Sequence, residues 1–517
     1  MSASRDSVSQ APEPDGHATA APVDQATLRA IIVGIMLAMF LSALEQTIVA
    51  PALPTIGRSL SDIENLSWVV TAYLLSATVA TPLFGKLSDI YGRRTLMLIS
   101  ISVFVLGSVV CAFAPTVWAL VLARALQGLG GGGILPLAQT VIADLLSPRE
   151  RPMVQSYSSV MFMSASILGP VMGGLLTDYT HWSMIFWINL PLGAAALLMT
   201  GRALRALPRH DHPHRLDLLG AALMVGASIA LLLALSSGAG QGGGHARWTS
   251  APILGLLAVS LLLWLLFVWR LTTAPEPLIP LDMVKEPLIG AIVVAGFFGI
   301  GTIIGLSIFM PLYIELVLGQ SASVSGSVLI AFMGGATIGS LVAGRLISRL
   351  DRYKRVPLAG LPLGIVTLVV FAIWPDRFSV IAVAALLAFG GLGMGTLYPT
   401  TTVIIQNAVR PHQLGTATGT LNFFRQLGGA IVVAIFGAIV LGGLDIGAVG
   451  VFTAERLSGP PAEFASQFRW VFVAAAVFLG TAFLAILWIE ERPLRGPSTK
   501  QQAADPAAAA SASVAAE

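Results

Sequence analysis

Charge is the scarcest property of this 517-residue chain: only 11% of residues are charged, whereas a soluble globular protein carries about 25%. No soluble core could absorb the 56% that are hydrophobic, which excludes a soluble protein. Cysteine is nearly missing too. Cys111 stands alone in an apolar run, so an intramolecular disulfide is excluded. Histidine is limited to seven residues, all in loops or the amino-terminal tail, which argues against a membrane-embedded enzyme with clustered catalytic groups. There is no basic stripe outside short loops, and the formal charge is only +3, so nucleic acid is not an expected partner. No loop is long enough to fold as a sensor domain. A short cleavable leader is not expected either, because the first apolar run, from about Arg29 to Ala50, is too long and reads as a retained span.

What the chain does have is apolar runs of about 20 residues along its whole length, matching the roughly 30 Å hydrocarbon core that a helix must cross. The runs are continuous rather than alternating, which selects helices over a barrel. The expected fold is an all-α polytopic membrane protein with fourteen transmembrane helices. Residues 29–203 should form an N-terminal six-helix bundle, 204–275 two linker helices and 276–490 a C-terminal six-helix bundle. Residues 1–28 and 491–517, rich in Ala, Pro, Ser and Asp, should be disordered cytoplasmic tails. About 22 Lys and Arg residues fall on the side of the termini and about five opposite, which predicts that both termini are cytoplasmic and the protein lies in the inner (plasma) membrane.

The two bundles carry traces of a repeat. Gly128-Leu129-Gly130, Pro136 and Pro148 match Gly391-Leu392-Gly393, Pro399 and Pro411 at one constant offset. Gly85-Lys86-Leu87 and Arg93 match Gly344-Arg345-Leu346 and Arg352 at nearly the same one. Two bundles related by an axis along the membrane normal follow. The second bundle has Leu387 and Ser348 where the first has Arg124 and Asp89, so its role should differ.

Few polar groups sit inside the spans. Arg124, some 10 Å from the outer end of span four, must face a polar cavity, find a carboxylate or snorkel. Glu45 lies about 24 Å up span one, within a turn or two of the depth of Arg124, so the two can meet. Burial and a guanidinium act on a carboxyl in opposite senses, so small changes in hydration or distance can switch its protonation. A Glu that serves only helix packing is the plainer reading. In span five, Ala165, Gly169 and Gly173 share one helix face and allow close approach of another helix, while Pro170 weakens the backbone ladder. On span thirteen, Asn422, Phe423, Arg425 and Gln426 cluster near mid-depth. Arg425 there either takes an anionic group or bonds to backbone carbonyls. His210, His212 and His214 read as a solvated loop rather than a metal site.

Four segments resemble the major facilitator superfamily or its fourteen-span exporters. The loop Gly85-Lys86-Leu87-Ser88-Asp89-Ile90-Tyr91-Gly92-Arg93-Arg94 resembles its signature G-x-L-x-D-x-x-G-R-R, and Arg124-Ala125-Leu126-Gln127-Gly128 its R-x-x-Q-G. Ala165 through Gly169-Pro170 to Gly173-Gly174 is similar to the antiporter motif of its exporters, with Ala165 in place of the first glycine. Leu44-Glu45-Gln46-Thr47-Ile48-Val49-Ala50-Pro51-Ala52-Leu53-Pro54 is similar to the span-one motif of the fourteen-span drug:proton antiporters, with Glu45 for Asp and Ala50 for Asn. The resemblance implies export of small amphiphilic compounds by alternating access, with protons as co-substrate and the proton motive force in place of any cofactor; the alternative is an importer or facilitator of the same fold, against which the Gly169-Pro170 motif stands. It assigns proton coupling to Glu45 and Arg124. It assigns the substrate cavity to Gln46, Gln127, Asn422, Phe423, Arg425 and Gln426, and the cytoplasmic gate to Gly85, Asp89, Gly92, Arg93 and Arg94. The expected partners are the substrate, protons and the lipid bilayer; a periplasmic adaptor subunit is left open.

Overall fold

A computed structural model of the chain describes residues 25–63, 65–204, 216–238, 248, 250–350, 352–442 and 461–491. Most of both expected tails (1–24 and 492–517) and the His210, His212 and His214 loop lie outside the described residues. Among the described residues, fourteen helices are long and apolar enough to cross a membrane.

The first set comprises α1 (Gln25–Ser59), α2 (Leu66–Tyr91), α3 (Arg93–Ala112), α4 (Val117–Leu145), α5 (Arg151–Tyr179), the short α6 (Met184–Trp187) and α7 (Asn189–Ala203). The pair α8 (Leu218–Gly238) and α9 (Ala251–Thr273) follows, then the short α10 (Leu281–Lys285). The second set comprises α11 (Pro287–Leu316), α12 (Ala322–Arg349), α13 (Arg355–Ile373), α14 (Val380–Gly395), α15 (Leu397–Ala408), α16 (Leu414–Gly442) and α17 (Pro461–Trp488). α1 begins four residues inside the expected tail, because nothing in Gln25–Leu28 breaks a helix already nucleated by the span. Two spans are interrupted where a proline withholds its N–H: at Ile188 ahead of Pro191, and at Thr396 ahead of Pro399.

Packing repeats between the two sets. α4 packs against α2 and α3 as α14 packs against α12 and α13, and α1 against α5 and α7 as α11 against α16 and α17. The glycines explain the matched crossings. Gly128 lies against the backbone of Tyr73 on α2 and its repeat partner Gly391 against Phe332 on α12, both too close to admit a Cβ. Two seams join the sets, α2 with α16 and α5 with α12. Each is drawn tight by the paired glycine of the repeat: Gly85 abuts the carbonyl of Gly415, and Gly344 that of Pro152.

Candidate functional site

Glu45 and Arg124 are 0% and 1% exposed, and Arg124 Nη1 donates to Glu45 Oε1 in a direct ion pair between α1 and α4. The guanidinium has further partners. Arg124 Nη1 also donates to Gln127 Oε1 at 2.6 Å, Nε donates to the Val69 carbonyl at 3.2 Å, and the Tyr73 ring lies 4.3 Å away. The second carboxylate oxygen, Glu45 Oε2, accepts from Asn189 Nδ2 of α7 at 2.5 Å. Asn189 and Gln127 both donate to Ser108 of α3, at 3.2 and 2.7 Å. Five helices, α1, α2, α3, α4 and α7, thus enclose one buried, charge-balanced cluster. Breaking such a pair by removing one partner costs about 3–5 kcal/mol, because the remaining charge stays buried. Gln127, expected in the substrate cavity, is fully buried here. Its place one turn along α4 from Arg124 turns it toward the ion pair.

The antiporter motif seats this cluster. Thr47 of α1 donates to the Ala165 carbonyl at 2.8 Å, Gly169 lies against Thr47, and Gly173 against the Ile48 carbonyl. The small face of α5 therefore holds the α1 turn that follows Glu45. Gly174 and Pro170 do not share in it: a Cβ on Gly174 would meet nothing, and Pro170 is exposed. Both lie off the face defined by 165, 169 and 173.

The residues expected at the cytoplasmic gate, Arg94 excepted, lie at or beside the α2–α16 seam. Asp89 accepts from the backbone N–H of Gly415 at 3.0 Å and of Thr416 at 2.7 Å, and from the Thr416 hydroxyl at 2.6 Å. These are orphan donors at the start of α16, where a carboxylate is favoured. Arg93 ties Asp89 to Asp144 of α4, the latter at 3.0 Å, and also donates to Ser88 at 2.9 Å. Gly92, at φ 88°, makes the turn that brings Arg93 back. Arg94 donates to the Gly201 carbonyl of α7 at 3.2 Å and stays within the first set. Ser348, at the repeat position of Asp89, bonds only within its own helix, to Arg345.

The residues assigned to the cavity in α16 separate. Asn422 Nδ2 donates to Gln139 of α4 at 2.7 Å, and Gln426 bonds to Thr78 and Thr81 of α2 at 3.0 and 3.1 Å, so both bridge the seam. Phe423 does not face a central cavity. It is buried against the linker helices with Trp264, Phe267 and Met224, because the α16 face that it occupies is the one α8 covers. Gln46 is exposed and donates to its own helix at Ser42. Arg425 is 3% exposed and donates to the Tyr398 carbonyl (3.1 Å), Thr401 (2.5 Å), Thr402 (2.9 Å) and Asn422 (3.3 Å).

Sequence reasoning missed Asn189, Ser108, Asp144, Gln139 and Tyr398. An amide within an apolar span was the available signal for Asn189 and Gln139. Ser108 and Tyr398 carry none, since such residues are common in spans. Among the described residues no group of three or more His, Cys, Asp or Glu is placed to hold a metal ion.

Residues 35–218 and 203–433 match the sequence family described as the Major Facilitator Superfamily. The chain is 32% identical over 410 residues to the multidrug transporter protein MdtP of Bacillus subtilis, covering 79% of this chain and 75% of that one. It is 31% identical over 415 residues to multidrug resistance protein 3 of the same organism, covering 80% of each. Its fold superposes on a bacterial homologue of the iron transporter ferroportin with a TM-score of 0.62 at 10% identity, over 89% of this chain and 98% of that one.

Proposed function

This chain belongs to the Major Facilitator Superfamily, and from that premise we propose that it exports small amphiphilic compounds, drugs or metabolites, in exchange for protons. It is a polytopic membrane transporter, not an enzyme. Its relatives named for multidrug transport and multidrug resistance support efflux as the direction, with antibiotic resistance as the phenotype and the bacterial plasma membrane as the site. The driving force would be the proton gradient, with no cofactor.

The single observation that carries proton coupling is the Glu45–Arg124 pair, an ionisable couple buried at the junction of five helices. Protonation of Glu45 would cancel its half of the pair and leave Arg124 buried without its counter-ion. That cost couples proton uptake to a rearrangement of α1 against α4. Asp89 would act at the other end as the latch that holds the α2–α16 seam shut until the bundles rock. Gly85 and Arg93 would complete the latch. Asn422 and Gln426, which bridge the two sets, would meet the substrate as the seam opens, with Arg425 beside Asn422.

The test is transport in everted vesicles with a fluorescent pH-gradient reporter. Glu45→Gln should abolish substrate-induced proton movement while substrate binding persists, and Glu45→Asp should retain a measurable fraction. Unchanged proton-driven efflux in Glu45→Gln would remove the assignment.

A further inference from the structure

The repeat that builds the Asp89 latch has lost its acids in the second set but kept its base. In the first set Arg93 is neutralised by Asp89 and Asp144. At the repeat offsets these three positions become Arg352, Ser348 and Asn407, so the arginine stays and both carboxylates are gone. Two further arginines, Arg345 and Arg349, occupy the last two turns of α12. All three are exposed, and among the described residues none of their guanidinium groups has a hydrogen-bond or ion-pair partner. Free carbonyls at a helix end favour a cation in the last turn, which accounts for Arg349 alone. Arg345 and Arg349, four residues apart, repel each other on one face. Farther along α12 that face is apolar: Ile338 and Val342 are exposed and lie in line with the two arginines, at successive spacings of four, three and four residues. It is turned away from both neighbours of α12, since Thr337, Ser340 and Gly344 meet α5 while Gly335 and Gly339 meet α14. Leu346 and Leu350, beside it, are exposed as well.

We infer that this face of α12 binds an anionic phospholipid, its phosphate on Arg345 and Arg349 and its acyl chain along Val342 and Ile338. Guanidinium and phosphate suit each other in charge and in fork geometry, and Arg352, just past the helix end, adds a third positive charge. A basic cluster at the membrane interface that continues into an apolar stripe fits a lipid, whereas free phosphate has no use for the stripe. The lipid supplies the negative charge that Asp89 and Asp144 supply in the first set. It sits next to the α5–α12 seam, since Arg345 directly follows the glycine that abuts Pro152. Its binding rests on no assumption about cargo or direction of transport.

The experiment titrates the full-length protein in detergent with dioleoyl phosphatidylglycerol or dioleoyl phosphatidylcholine and follows the first bound lipid by native mass spectrometry. The acyl chains are the same, so any difference reports headgroup charge. The wild type should prefer phosphatidylglycerol by at least about tenfold, given about fivefold for each basic residue near the headgroup. Arg345→Gln combined with Arg349→Gln should bring the two lipids within about twofold of each other. The control pair, Arg29→Gln with Arg202→Gln, removes two exposed arginines from the same side of the first set and should keep the preference. All four side chains are exposed, so each variant should fold with an unchanged melting temperature. Excess inorganic phosphate should leave phosphatidylglycerol bound. Equal affinity of the wild type for the two lipids, an equal loss of preference in the control pair, or displacement by inorganic phosphate would overturn the inference. The second result is what diffuse positive charge on that side would give, and the third is what a site for free anions would give.

Discussion

The two carboxylate oxygens of Glu45 are held by different helices, Oε1 by Arg124 of α4 and Oε2 by Asn189 of α7. Asn189→Leu should therefore leave one oxygen of a buried carboxylate without a donor, at a cost of about 1–3 kcal/mol in thermal unfolding in detergent. In a Glu45→Gln background the same change should cost visibly less, a coupling that a double-mutant cycle reads directly. Equal costs in both backgrounds would mean that the contact contributes nothing. Glu45 and Arg124 were legible because an ionisable group in an apolar run stands out, and their depths could be counted from the helix rise. Asn189 was not. Where the span-one motif has an amide, this chain has Ala50, which is exposed, and the amide that reaches Glu45 comes instead from a span with no recognisable motif. Only the packing of α7 against α1 reveals the substitute.

Among the elements, the seam helices show how a repeat becomes a device. Gly85 and Gly344 occupy equivalent crossings, one at each seam, so Gly85→Val and Gly344→Val should each prevent tight closure. Asp89→Asn is the finer probe. It removes one charge from the start of α16, worth about 0.3–1 kcal/mol at a helix N-terminus and up to about 2 when partly buried. Thr420 is buried one turn along α16 from Thr416, to whose carbonyl it donates; with Cys111 replaced by Ser, a single cysteine there should then react with maleimide up to about fivefold faster for each kcal/mol lost. An unchanged rate would show that the latch bears no load. Sequence offsets were enough to pair Gly85 with Gly344 and Gly128 with Gly391, because close crossings demand glycine. The interruption at Thr396 was only half visible: Pro399 predicts a freed carbonyl four residues back, at Gly395, but nothing in the sequence says that Arg425 donates to the Tyr398 carbonyl.

For the whole molecule, the charge bias predicts one orientation, and reporter fusions read it. Green fluorescent protein at either terminus should fluoresce, and alkaline phosphatase inserted after Arg58 should be active; the reverse pattern would invert the protein in the membrane. Span number was legible because bilayer thickness sets helix length. The resting place of the two linker spans was not, since an all-round apolar helix does not declare its neighbour. They lie against the α2–α16 seam, clipped together by Arg270 and Asp217 at 3.0 Å, with α8 touching both α2 and α16. A helix that rests on both lips of one slit acts like a hinge pin. The Asp89 side can part only as far as α8 lets go of one lip, while the α5–α12 slit carries no linker helix among the described contacts. The inward-facing mouth should therefore gape unevenly, wider toward α5 and α12, and a membrane-dissolved molecule would find its doorway on that flank.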